Sequence, residues 1–398
     1  MSVTTEEPDI RRLVRTRPEH ELLLACARTR VGPEEQGSIG ALAAQALDWE
    51  YLFRLAKRHS VLPLLYWQLN ASAPEVVPPA QLERLRAKFR DNAARNLYLT
   101  GELERIITLF KASGVAVLPY KGPALAAAAY GNISLRRFVD LDILISKADV
   151  PLAKELLLSR GLLPAPPLSP AQERILLRAQ HNLPFSRDGG RLLVELHWEI
   201  AAKQFAPASF GRSFGGELET VKLLHLEVES LSPEDLLLSL CVHGTKHLWE
   251  RLAWICDIAE LIRSRPNLDW PRLSERASRL RAGRMLNLGL RLAHDLLDAP
   301  LPDEVERGVA ADGVAAGLAS DVMARLFDGC EYSPAGLLRH INFNLRARRD
   351  WRDKARYLSF IFAPTDGDLR LLDLPARLCF VYYLLRPFRL LLKGGDAG

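Results

Sequence analysis

Two aspartates, Asp140 and Asp142, interrupt the apolar run RRFVDLDILI at residues 136–145. A buried carboxylate costs several kcal/mol unless a partner compensates it. Strand side chains alternate, so Asp140 and Asp142 share one face while Val139, Leu141 and Ile143 share the other. The chain is thereby constrained to a sheet with one face packed on helices and one face that concentrates negative charge.

Carboxylates roughly 7 Å apart along a strand repel unless a cation lies between them. Mg²⁺ answers that need: it takes carboxylate oxygens, keeps waters and draws further ligands from substrate phosphates. Two such ions can activate a nucleophile and stabilise a leaving pyrophosphate. A third carboxylate, Glu195, comes from the strand pattern RLLVELHWEIA (191–201), where it faces the same way as His197. Upstream, VAVLPY (115–120) reads as a strand, Lys121-Gly122 as a tight turn, and PALAAAAY as a helix opened by Pro123 and stopped by Gly131. A turn of this kind offers free N–H groups to an anion, Gly122 lets the backbone approach, and Lys121 adds a full charge.

Around these strands the pattern is helical. ELLLACART (21–29), DWEYLFRLAKRHSVLPLLYWQL (48–69) and QLERLRAKFRDNAARNLYLTGELERIITLFKASG (81–114) repeat apolar residues every three or four positions. Residues 149–161 form a further helix followed by a Pro-rich loop, and from Ser232 the pattern is helical to the C-terminus. The expected fold is α+β: a small mixed β-sheet core at 99–228 between helical regions at 1–98 and 229–398. The segment 232–265 reads as one helix. On it His243, His247, Glu250, Trp254 and Asp257 form a polar stripe, Lys246 sits at its edge, and Cys241, Leu248, Leu252, Ile255 and Ala259 form the opposite face. The stripe is expected to line a substrate cleft with His197. The His-x₃-His spacing of His243 and His247 also fits zinc, but no glutamate or third ligand completes such a motif.

Composition narrows the classes. The chain has 398 residues, 48% hydrophobic and 25% charged, with a formal net charge of +5. That suits an anionic small substrate, and the basic residues are spread along helices rather than gathered with aromatics as RNA binding requires. Five scattered cysteines without a CxxC exclude a disulfide framework and a cysteine zinc site. No signal-peptide pattern opens the chain. The apolar stretch 371–392 is interrupted by Arg377, Arg386, Pro387 and Arg389, so it reads as a buried terminal helix rather than a membrane span. The expected compartment is the cytoplasm.

LPYKGPALAAAAYGNISLRRFVDLDILI, VELHW and HGTKHLWERLAWICDIAELI together resemble the bacterial family of uncharacterised nucleotidyltransferases, in the superfamily of DNA polymerase β. The flanking segments DWEYLFRLAKRHSVLPLL and YYLLRPFRLLL are similar to that family as well. The resemblance implies a Mg²⁺-dependent enzyme, with two ions, that moves NMP from an NTP to a hydroxyl-type acceptor, a small molecule or peptide, and releases pyrophosphate. It implies metal ligands at Asp140, Asp142 and Glu195, and nucleotide or phosphate contacts at Lys121, Gly122, Arg136 and Lys246. Three departures from the superfamily stand out: Lys121-Gly122 replaces the usual Gly-Ser, the gap to the aspartates is long, and the third carboxylate is Glu. They leave a phosphotransferase and a non-catalytic binding protein as alternatives.

Overall fold

The computed structural model describes residues 14, 16–200, 217–328, 336–369, 374, 378 and 380–392. It is α+β, mostly helical, around one small mixed sheet. The sheet strands are β1 (Val117–Pro119), β2 (Leu141–Ile145), β3 (Leu163–Pro164), β4 (Asn182–Arg187) and β5 (Leu192–His197), in the order β1-β2-β5-β4-β3. Only β2 and β5 pair in parallel; the other neighbours are antiparallel. A separate hairpin joins β6 (Leu218–Lys222) to β7 (Glu227–Leu231), and Ser230 donates to the Pro119 carbonyl at 2.6 Å, tying it to β1.

The three strands expected from the sequence are β1, β2 and β5, each shorter than its pattern. β2 begins at Leu141, so Asp140 lies just before it, and Val139, expected on the packed face, is exposed. β3 and β4 arise in the stretch after residue 161 read as a Pro-rich loop, and the β6–β7 hairpin is not among the expected strands. β4, NLPFSR, carries a proline and mixed polarity; pairing with β5 makes it a strand.

One sheet face is dry. Leu141, Ile143, Ile145, Val194 and Leu196 are fully buried against Leu99, Leu103, Ile106, Ile107 and Phe110 of the long helix Pro79–Ala112. That helix ends where Gly114, at φ +76°, leaves helical space. A second core joins helices before and after the sheet. Leu22 and Leu23 of helix Pro18–Cys26 share it with helices Pro233–Lys246, Leu252–Ser264, Gly283–Leu297 and Gly313–Leu326.

The expected single helix over 232–265 is two helices. Leu248 and Trp249 take φ values of +54° and +55°, which ends the first at Lys246 and restarts the second at Leu252. Packing drives the break. Trp249 is fully buried against Gly244 and Gly289, where added Cβ atoms would lie 2.6 and 3.2 Å from its ring. The second helix is capped from far away: His59 Nδ1 accepts from Leu252 N–H at 3.1 Å and its carbonyl from Ala253 N–H at 3.2 Å.

The C-terminal segment is less buried than expected. In helix Val381–Leu392, Tyr382 and Leu390 are buried, but Tyr383, Leu384 and Phe388 are exposed; residues 371–373, 375–377 and 379 of the pattern lie outside the described residues. Among the described residues, no helix is long and apolar enough to cross a membrane.

Candidate active site

The wet face of the sheet carries the acidic side chains. Parallel pairing sets Asp142 of β2 directly opposite Glu195 of β5, and Leu144 opposite His197. Side-chain alternation along β5 then puts Glu195 and His197 on the same face as Asp142. Nε2 of His197 lies 3.0 Å from Asp142 Oδ1 and 3.2 Å from Glu195 Oε2. Asn182, on β4 opposite His197, donates from Nδ2 to Glu195 Oε2 at 2.8 Å.

The turn after β1 reaches the same place. Gly122 has φ +52°, and a Cβ there would lie 3.1 Å from the Asp140 carbonyl oxygen. Only glycine permits both the left-handed backbone and that contact. Lys121 Nζ stands 3.8 Å from Asp142 Oδ1 and 3.3 Å from His243 Nδ1, and donates to the ring nitrogen. The helix behind the turn is short, Gly122–Leu125, continued by a π-helical turn over Ala126–Tyr130.

A cleft of about 650 Å³ unites these groups. Lys121, Gly122, Arg136, Asp140, Asp142, Glu195, His197, His243, Lys246 and His247 all line it. Its far wall comes from the two helices on either side of the Leu248–Trp249 break. There the rings of His243 and His247 lie 4.7 Å apart, with Trp254 at 5.5 and 5.4 Å from them. The polar stripe thus converges despite the broken helix.

Asp257 does not line the cleft. It is 1% exposed and lies beneath it. Its Oδ1 accepts from Tyr130 Oη and Arg136 Nε, both at 2.7 Å, and its Oδ2 from Arg136 Nη2 at 2.9 Å. The bidentate pair fixes the guanidinium at the cleft floor.

The electrostatics divide the three carboxylates. Burial, then Asp142 and Glu195, pushes Asp140 up to about 6. Burial also works against ionised Asp142, but Lys121, the His197 hydrogen bond and Arg136 prevail and hold it well below its ordinary value. Glu195 is lowered in the same way: burial opposes ionisation, and the hydrogen bond and charge of His197 outweigh it. His197 is raised in return, since its two carboxylate partners overcome its burial. Burial, then Lys246 and His197, keeps His181 neutral; burial and the nearby lysines do the same for His243 and His247. Burial, then Lys121, lowers Lys246 to about 8.

The profile of the uncharacterised nucleotidyltransferase family matches residues 45–298, more than half the chain. The chain belongs to that family. No curated protein and no solved structure matches it. In this family member the donor set fits a divalent cation: Asp142, Glu195 and His197 each offer a ligand atom, all within 4.8 Å of one another. Asp140 stands outside that trio because it precedes the strand. Sequence reasoning missed Asn182 and Tyr120. Asn182 carries no local signal, since its role depends on β4 pairing with β5. Tyr120 adjoins the Lys121 turn; its hydroxyl is buried without a hydrogen-bond partner and feels the charges of Asp142, Glu195 and Asp140.

Proposed function

We propose that the cleft transfers a nucleoside monophosphate from an NTP to a hydroxyl-type acceptor, with Mg²⁺ held by Asp140, Asp142 and Glu195. The observation that carries this reading is the register that sets Asp142 opposite Glu195, beside Lys121, in a cleft of a chain from this family. Bound there, Mg²⁺ would neutralise the triphosphate and favour departure of pyrophosphate.

The protein's own groups supply the rest. Lys121 and Lys246, which both line the cleft, present positive charge to the phosphates. Gly122 lets the backbone approach them. The Asp257–Tyr130 clamp keeps Arg136 charged and immobile at the floor. His197 and Asn182 hold the carboxylates in alignment. The acceptor oxygen attacks the α-phosphorus, the bond from that phosphorus to the bridging oxygen breaks, and pyrophosphate leaves. The acceptor proton passes to Glu195 or Asp142. Positioning and charge stabilisation dominate, as in other phosphoryl transfers.

Calorimetry of NTP binding with and without Mg²⁺, on wild type and Asp142→Asn, tests the reading. Binding that requires Mg²⁺ and weakens about 100-fold or more in the variant supports it. Binding indifferent to Mg²⁺ and to Asp142→Asn, or none at all, points to a non-catalytic protein. Phosphorus NMR of the products then separates pyrophosphate release from phosphoryl transfer.

A further inference from the structure

We propose that His197 is itself a metal ligand, so that this site takes a first-row transition ion, Mn²⁺, in preference to Mg²⁺. The inference rests on the divalent-metal part of the reading above, adding His197 to its ligands and revising its ion, and not on nucleotide chemistry.

The geometry is specific. The same nitrogen, Nε2 of His197, faces both Asp142 Oδ1 and Glu195 Oε2, at 3.0 and 3.2 Å. Neighbouring ligands of an octahedral ion with bonds of about 2.1 Å stand about 3.0 Å apart. The nitrogen therefore already stands at ligand spacing from each carboxylate oxygen, all three atoms lie within 4.8 Å of one another, and an ion bound among them would replace the hydrogen bonds with coordination bonds. The imidazole is also rigid. It is 2% exposed, Tyr120 packs edge-on against it at 5.7 Å and 83°, and His181 lies 5.5 Å away. A ring so confined cannot swing aside to leave a purely carboxylate site.

A second observation points to the same spot. The Tyr120 hydroxyl is fully buried, has no hydrogen-bond partner and lies within the field of all three carboxylates. A buried donor of this kind is costly unless something meets it. A water on a bound ion is such a partner, and outer contacts of this type orient the ligands of metal sites.

Donor chemistry then sets selectivity. Carboxylate and water ligands alone suit Mg²⁺, Ca²⁺ and Mn²⁺ alike; an imidazole in the set favours first-row transition ions, of which Mn²⁺ stands lowest in the affinity order but binds a nitrogen donor better than Mg²⁺ does. Without nucleotide the expected order of affinity is Mg²⁺ weakest, then Mn²⁺, then Zn²⁺.

The test uses the full-length protein and metal alone. Calorimetry is expected to give Mn²⁺ an affinity about tenfold or more above Mg²⁺, a difference of about 1.4 kcal/mol. Electron spin-echo modulation of bound Mn²⁺ is expected to show a directly coordinated histidine nitrogen that changes on ¹⁵N-histidine labelling. In His197→Gln the coupling disappears and the two affinities converge to within about twofold, with binding through Asp142 and Glu195 retained. Because the spectrum is recorded on wild type, a variant that fails to fold does not blunt the test. Equal Mn²⁺ and Mg²⁺ affinities, absence of nitrogen coupling, or no metal binding would overturn the proposal and leave His197 as a hydrogen-bonding clamp. A protein that binds Mn²⁺ through nitrogen but never turns over NTP would sink the proposed function and leave this inference standing.

Discussion

Asp140 is the cleft residue whose charge works against stability. Its folded pKa of about 6 lies above its ordinary value of 3.8, so its ionised form is disfavoured in the fold. Stability is therefore lost as pH rises from about 4 to 6 and stays lost above that window. Asp140→Asn removes the repelled charge. In metal-free protein the variant is expected to be more stable than wild type at pH 7.5, by on the order of 1–3 kcal/mol, and equal to it near pH 4. Urea midpoints at the two pH values measure this; no gain at pH 7.5 would mean that Asp140 is not strained. Lys246 gives a second pH signature. Burial lowers its folded pKa from 10.5 to about 8, so the amine is charged at neutrality and loses its proton as pH rises through 8. NTP affinity is expected to fall between pH 7 and 9, and Lys246→Met should flatten that slope. An unchanged slope in the variant would assign the titration elsewhere.

Between elements, two contacts decide where the cleft walls stand. Asp257 joins helix Leu252–Ser264 to Arg136 and Tyr130, residues more than 100 positions earlier in the chain. Asp257→Ala leaves a buried guanidinium without its counter-ion, at an expected cost of about 3–5 kcal/mol. Denaturant melts showing a loss below about 1 kcal/mol would make the clamp incidental. The helix break depends on Trp249 against Gly244. Gly244→Ala drives a methyl to 2.6 Å from the indole and is expected to cost about 1–3 kcal/mol. The same substitution at Gly37, in helix Pro33–Ala43 with open space around it, should stabilise by about 0.5–1 kcal/mol. The opposite signs, read from paired thermal melts, separate packing from helix propensity.

At the scale of the whole molecule, the family match is shorter than the folded unit. Residues 45–298 carry every cleft residue named above, but Leu22 and Leu23 before them and Leu318 and Met323 after them belong to the same core as Trp249 and Leu286. The C-terminal stretch also returns to the helix Pro170–Ala179 that precedes β4: Gln172 donates to the Leu369 carbonyl at 2.9 Å and Gln180, at its end, to that of Pro364 at 2.6 Å. A piece cut at 45 and 298 is therefore expected to lose cooperative unfolding, while the full chain melts in a single sharp transition. Circular dichroism melts of both compare them directly; a sharp transition in the piece would show that the outer helices are dispensable.

By itself the sequence determined the local chemistry of this site. Period-two alternation fixed the faces of β2 and β5, and the Lys121-Gly122 turn between strand and helix was readable because φ preference and turn geometry act over a few residues. The long helix Pro79–Ala112 was legible for the same reason, its apolar period being internal. Tertiary structure alone decided the rest. The register of Asp142 against Glu195 joins strands some fifty residues apart, and it alone brings His197 between them. β4 became a strand because β5 offered an edge, and the helix over 232–265 broke because burying Trp249 outweighed continuing the backbone hydrogen bonds. Short-range preferences are written in neighbouring residues, whereas register, burial and pairing depend on which distant surfaces the folded chain brings together.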